Sequence, residues 1–88
     1  MEETRVGSIV SAQIGRMGEV SLTNGPFRLP NNVPFNIKND GEDPVELVVC
    51  LDKMADGEYI TTSFAPGWNP EIVREIKSGT VTNIKYGY

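Results

Sequence analysis

The sequence predicts a mainly β protein: a small antiparallel β-sandwich or open barrel of immunoglobulin-like architecture, with one short helix near residues 70–77. Of its 34 apolar residues, 16 are Val or Ile against four Leu and three Ala, a ratio that favours sheet over helix. Nine Gly and six Pro divide the chain into short segments, most of which alternate apolar and polar residues. The 88 residues accommodate one domain, and no βαβ spacing is present.

Two runs of alternating residues are the clearest strands. They are the runs 33–39 and 45–53, in which every second residue is apolar from 33 to 37 and from 45 to 51. Between them, 40–44 reads Asp-Gly-Glu-Asp-Pro, a polar turn in which Gly permits positive φ and Pro fixes the exit. We therefore expect the two runs to pair as an antiparallel hairpin.

Two more strands are expected towards the C-terminus. Asp56-Gly57 is a strong turn signal, and the residues that follow it in 58–64 suit a sheet. In 80–88, Ile84, Tyr86 and Tyr88 share one parity and indicate a closing strand that runs to the last residue. We expect the edge of this last strand to be uncapped and available to a neighbouring copy.

The helix is predicted from its end signals and one apolar stripe. Asn69 suits the N-cap, Pro70 suits the first helical position, and Gly79 suits the position after the last turn. A helix of two turns does not hold alone, so it should dock on the sheet. Its stripe consists of Ile72, Val73 and Ile76.

The first residues allow two interpretations. Strands at 6–14 and 19–23 could flank a turn at 15–18, with Val20 and Leu22 facing inward. Alternatively, 1–18 is an N-terminal assembly arm, which orders only against a partner. Under either interpretation 19–88 forms a single β domain, with 24–34 as a proline-rich loop or extended connector.

Composition excludes several classes of chemistry. The chain has no His and one Cys, so it lacks an imidazole base and cannot build a disulfide framework or a multi-thiolate metal site. Phosphate-binding glycine motifs are also missing. We therefore predict that the protein is not an enzyme and has no catalytic, cofactor-binding or metal site. Cys50 is expected to be a buried structural thiol.

Charge and hydropathy indicate where the protein acts. The net charge of −4 argues against nucleic-acid binding. The longest apolar run has five residues, 47–51, far short of a membrane helix. The acidic N-terminus has no signal-peptide pattern, so we expect a protein that is not secreted by a signal peptide.

An acidic region occupies the middle of the chain. Residues 40–58 carry seven acids against Lys53 alone, a local charge of −6. These acids fall mostly in predicted turns, which is typical of a solvated end of the domain. A calcium site remains open, since oxygen ligands clustered in turns suit that cation. A contact with a basic partner also remains open.

Four aromatic residues are candidates for an interface. Trp68 lies between two prolines, where it could pack over the sheet as a staple beside the helix or anchor a partner on a rigid loop. Phe27, which follows Gly25-Pro26, could belong to the core or contact a partner. Tyr86 and Tyr88 complete the set, on the face of the closing strand that ends the chain.

The stretches 33–39 and 61–76, the second containing Phe64-Ala65-Pro66-Gly67-Trp68-Asn69-Pro70-Glu71, resemble small virion proteins of tailed bacteriophages that infect gut Bacteroidetes. In that family, compact β domains decorate the head or form the base of head fibres. The resemblance implies a structural role in the virion, assembled in the host cytoplasm, with contacts to capsid proteins or to other copies of the chain.

The leading hypothesis is therefore a non-enzymatic, oligomeric structural protein of a phage virion, which acts through protein–protein contacts with itself and with the capsid. The alternative is a small carbohydrate- or peptide-binding β module that uses the loop bearing Trp68.

Overall fold

The chain forms two antiparallel sheets that pack face to face around one core, which confirms the mainly β sandwich class. The structure is a computed structural model and describes residues 14–88. That part of the chain contains no helix long and apolar enough to span a membrane. The seven strands are β1 (Met17–Glu19), β2 (Asn36–Asn39), β3 (Val45–Leu51), β4 (Ile60–Phe64), β5 (Gly67–Trp68), β6 (Val73–Gly79) and β7 (Ile84–Gly87).

The four-stranded sheet has the order β1-β7-β2-β5. The closing strand is confirmed as β7, but the expectation that it is an uncapped edge is wrong, because β1 pairs along it. The pairing continues past the strand ends: the amides of Gly15 and Arg16 donate to the carbonyl of Tyr88, and the amide of Tyr88 donates back to Arg16 at 3.0 Å. The last residue is therefore held on the side of β1.

The three-stranded sheet has the order β4-β3-β6. The hairpin of β3 and β4 confirms the predicted turn at Asp56-Gly57, where Gly57 has φ +85°. The outer edge of β6 is covered by two short bridges. Phe27 exchanges backbone hydrogen bonds of 2.8 and 3.0 Å with Ile76, and Phe35 exchanges bonds of 2.9 and 2.8 Å with Val73.

The predicted hairpin between 33–39 and 45–53 is wrong, although both runs contain strands. β2 pairs with β5 and β7, whereas β3 belongs to the other sheet. The side chain of Asn39 closes the connection: its Oδ1 accepts from the amide of Gly41, and its Nδ2 donates to the carbonyls of Asp43 and Phe64. The two apolar faces thus meet across the core, and the strands do not pair edge to edge.

The predicted helix near 70–77 is also wrong, because 73–79 is strand β6. A β-bulge explains the error. Val73 and Glu75 oppose Leu51 and Cys50, which leaves Arg74 as an extra residue. The bulge restores inward orientation at Ile76, so Val73 and Ile76 are both fully buried at a spacing of three. That spacing, read along the sequence, resembles a helical stripe.

At the N-terminus, part of the predicted turn at 15–18 belongs to β1, and the strand expected at 19–23 ends at Glu19. Val20 is buried, and Leu22 packs against the core, as expected. The strand expected at 6–14 and most of the proposed arm at 1–18 lie outside the described residues.

Candidate functional site

The four candidate aromatic residues are divided between the two faces of the four-stranded sheet. Phe27 and Tyr86 lie on the inner side, with ring centroids 5.3 Å apart, and each packs edge-on against the buried Phe35. Tyr88 stacks on Tyr86 at 6.2 Å and is 40% exposed. Phe27 and Tyr86 therefore extend the core, and Tyr88 carries that aromatic row to the surface.

Trp68 lies on the outer face of the same sheet, in β5 and not beside a helix. Its indole covers Gly87, because a Cβ at that position would lie 2.5 Å from Cη2 of the indole. The side chain of Ile14 approaches the same glycine, and Met17 is the cross-strand neighbour of Gly87 on β1. We call Ile14, Met17, Trp68 and Gly87 the Trp68 patch; Met17 is 45% and Trp68 37% exposed.

The buried side chain of Asn69 holds the backbone on which Trp68 stands. Its Oδ1 accepts from the amide of Ala65 at 3.1 Å, and its Nδ2 donates to the carbonyls of Ala65 and Gly67 at 3.0 and 3.1 Å. Its backbone amide donates to Ile37 on β2. Asn69 therefore closes this loop on itself and fastens it to the sheet, so Trp68 is presented on a rigid support.

Charged residues border the Trp68 patch. Lys38 lies opposite Trp68 on one side and opposite Lys85 on the other. Both ammonium groups contact Asp40, Lys85 at 2.7 Å and Lys38 at 3.2 Å. Hydrogen bonds from Lys85, the larger effect, and from Lys38 lower the pKa of Asp40. The bond between Lys85 and Asp40 also raises the pKa of Lys85. Glu19 of β1 is the cross-strand neighbour of Lys85, and its charge also raises the pKa of that lysine. Two lysines and two carboxylates therefore lie beside the Trp68 patch and carry no net charge.

A second polar cluster lies on the three-stranded sheet around Glu75, a buried carboxylate that is 4% exposed. Arg28 donates to Oε1 through Nε at 3.1 Å and Nη2 at 2.7 Å, and Tyr59 donates its hydroxyl to Oε2 at 2.9 Å. The bond to Glu75 raises the pKa of the Tyr59 hydroxyl and of the Arg28 guanidinium. Both carboxylate oxygens are thus occupied by donors from other parts of the chain.

Arg74, the bulge residue, extends this polar cluster. Its Nη1 donates to Asp56 at 2.8 Å, and its Nη2 lies 3.3 Å from the sulfur of Cys50 and donates to the carbonyl of Met54. The thiol, which is fully buried, lies 3.6 Å from the carbonyl oxygen of Ala55. Cys50 is therefore part of the packing between β3 and the turn that follows it.

Sequence reasoning missed the Glu75 cluster, because its members are 16 to 47 residues apart. The one local signal was a Glu between apolar residues of a segment interpreted as helix. Two of the seven acids in the region 40–58 form ion pairs: Asp40 with Lys38 and Lys85, and Asp56 with Arg28 and Arg74. Within residues 14–88, no group of three or more Cys, Asp or Glu side chains could hold a metal ion.

Comparison with known proteins adds no relative: the chain matches no protein-family model, no curated protein and no solved structure.

Proposed function

We propose that this chain is a non-enzymatic structural protein of a phage virion, which decorates the capsid or forms the base of a head fibre through protein–protein contacts. The resemblance of 33–39 and 61–76 to small phage virion proteins supports this role. Three polar side chains also support a structural role. Asn39, Asn69 and Glu75 all form hydrogen bonds that hold loops and strands together.

The observation that carries the proposal is the Trp68 patch. A large aromatic side chain on a rigid support loses little conformational entropy when it binds, which is typical of interface anchors. Its apolar centre is bordered by two lysines and two carboxylates, Asp40 and Glu19. We therefore propose that it docks on a shell protein that offers an apolar contact surrounded by polar groups.

The test is co-sedimentation of the purified chain with assembled capsids of tailed phages that infect gut Bacteroidetes. Trp68→Ala should raise the dissociation constant for capsids by at least about tenfold, as expected for an aromatic anchor worth more than about 1.4 kcal/mol. Ile72→Ala is the matched control, because Ile72 is an exposed apolar side chain outside the Trp68 patch. A wild-type chain that stays in the supernatant, or equal losses in both variants, would contradict the proposal.

A second function rests on the same tryptophan. An exposed indole beside hydrogen-bonding Lys38, Asp40 and Lys85 is also a platform on which a sugar ring or an extended peptide could stack. A glycan panel distinguishes the two proposals: saturable quenching of Trp68 fluorescence by one glycan, without capsid binding, would favour the binding module.

A further inference from the structure

We infer that the free edge of β4 pairs with β4 of a second copy of this chain, in an antiparallel arrangement about a two-fold axis at Thr62. This goes beyond the proposed function, because it concerns self-association of the isolated protein and requires no capsid. Three features of β4 support it: its outer edge is open, its sequence lacks residues that protect an edge, and it carries no charge.

The coverage of the sheet edges sets β4 apart. On the four-stranded sheet, the edge strand β5 is two residues long. The pairing of β1 with β7 extends over 15–20, but this edge carries the charged residues Arg16 and Glu19. On the other sheet, the outer edge of β6 is hydrogen-bonded to Phe27 and Phe35. Within residues 14–88, the backbone of β4 pairs along β3, and at its end the carbonyl of Phe64 accepts from Nδ2 of Asn39. The outer edge at 60–63 is left open and uncharged.

The sequence of β4 has none of the features with which natural proteins protect an edge. It reads Ile-Thr-Thr-Ser-Phe, with neither Lys nor Pro, and it pairs with β3 without a bulge. Four of its five residues, two Thr, one Ile and one Phe, have high β propensity. Such an edge offers a row of backbone donors and acceptors to another strand.

The same five residues complement themselves. With Thr62 on a two-fold axis, Ile60 faces Phe64 of the second copy and Thr61 faces its Ser63. Hydroxyl pairs such as Thr61 with Ser63 stabilise neighbouring antiparallel strands. Phe64 is already fully buried in its own core, so Ile60 would lie beside it without new contact to its ring. Ile60 shares the inward parity of Phe64 but is 47% exposed, because it lies at the open side of the sandwich. A second copy would cover it.

Charge explains why this edge suits a second copy. Each chain carries a net charge of −4, so two copies repel each other over most of their surfaces. β4 itself is uncharged. In the register about Thr62, Glu58 faces Pro66 of the second copy, and no two carboxylates are opposed.

The predicted contact is weak, because a pair of five-residue strands buries less surface than the roughly 1,200–2,000 Å² of a stable complex. It should therefore be a concentration-dependent dimer in solution. In an array of fixed copies, the high effective concentration would strengthen it.

The first experiment is sedimentation velocity of the full chain from micromolar to millimolar concentration. The weight-average mass of the wild type should rise from 9.7 kDa towards twice that value. T61K/S63K places lysines opposite one another and should weaken dimerisation by about tenfold or more. T61E/S63K differs at one position, places Glu opposite Lys twice, and should restore it.

Both variants carry a lysine at position 63, which faces Glu46 on β3 of the same chain, so their monomers are matched. A wild type that remains monomeric throughout overturns the inference. So does self-association that T61K/S63K leaves unchanged or that T61E/S63K does not restore.

A covalent readout tests the register. Under mild oxidation, Thr62→Cys should form an interchain disulfide, because the two positions meet at the axis within reach of such a bond. Ser63→Cys is the control, since the two copies of that position are offset by two residues. Cys50 is fully buried and stays in place. Equal cross-linking of both variants overturns the register.

The inference can fail independently of the proposed function. Trp68→Ala should leave the self-association curve unchanged while it reduces capsid binding. If T61K/S63K abolishes dimers but still binds capsids as a monomer, both statements stand. If Trp68→Ala abolishes the dimers, the contact lies at the Trp68 patch and not at β4, and the inference is overturned.

Discussion

The indole of Trp68 lies directly over Gly87, with no room for even a methyl group between them. The two residues stand on strands separated by β2, and Asn36 of β2 is the partner of Gly87 in the sheet. Because Gly87 has no side chain, the ring can reach across β2 and lie on the backbone of β7. The position of the candidate anchor therefore depends on a glycine 19 residues further along the chain.

Gly87→Ala is expected to lift Trp68 from the sheet. The new methyl group cannot be accommodated without moving the ring, so the emission maximum of Trp68 should shift to longer wavelength and stability should fall by about 1–3 kcal/mol. Urea denaturation followed by fluorescence measures both quantities. Gly15→Ala is the control, since a Cβ there would make only an ordinary contact of 3.9 Å with Tyr88. An unshifted spectrum for Gly87→Ala would contradict the contact.

Asn69→Ala should loosen the loop that supports Trp68. The change leaves the amide of Ala65 and the carbonyls of Ala65 and Gly67 without their partner, at a cost of about 1–3 kcal/mol. Hydrogen exchange at the amide of Ala65 should accelerate. Asn24→Ala, at an exposed turn position, should change stability by less than about 0.5 kcal/mol. If the two variants are equally stable, Asn69 does not hold the loop.

The positions of β2, β3, β4 and β7 and the turn that joins β3 to β4 could be predicted from the sequence, but the partners of β2 could not. Alternation identifies β2 and β3 because each buries one apolar face. The same alternation results whether two strands pair side by side or pack across a core. The side-chain amide of Asn39 favours packing across the core, because it donates to the carbonyl of Asp43 in the connection and to the carbonyl of Phe64 in β4. An Asn whose side chain accepts from the amide two residues later is an ordinary turn feature and does not specify that arrangement.

The helix error has a comparable physical origin. Asn69 and Pro70 have the residue types of a helix start, but the side chain of Asn69 bonds backward to Ala65 and Gly67 and not forward to a first turn. The bulge at Arg74 then gives Val73 and Ile76 a helical spacing within a strand. The predicted candidate Trp68 is exposed all the same, since its exposure depends on the loop and not on a helix.

Acid should weaken the contact between the two sheet lysines and Asp40. Because the pKa of Asp40 is lowered below its usual 3.8, its contribution to stability is present above that value and is lost as the pH falls through the folded-state pKa. Asp40→Asn and Lys85→Met should each flatten the dependence of unfolding free energy on pH below about 4. Lys53→Met, which removes an exposed lysine elsewhere, should retain it. Parallel curves for all four proteins would contradict the pairing.

Glu75→Ala is expected to be the most damaging change in the polar clusters. It leaves Arg28 and Tyr59 facing an empty acceptor position, whereas Asp56→Ala removes a carboxylate that is 75% exposed and should cost little. Urea denaturation should therefore give a midpoint well below the wild type for Glu75→Ala and close to it for Asp56→Ala.

A double-mutant cycle with Arg28→Met separates the ion pair from the rest of the Glu75 cluster. Once Glu75 is gone, replacing Arg28 should cost less than it does in the wild type, because the guanidinium has already lost its main partner. Glu75→Gln keeps an acceptor for Tyr59, so its midpoint should lie between those of Glu75→Ala and the wild type. Strict additivity in the cycle would mean that Arg28 and Glu75 do not stabilise the sheet through each other.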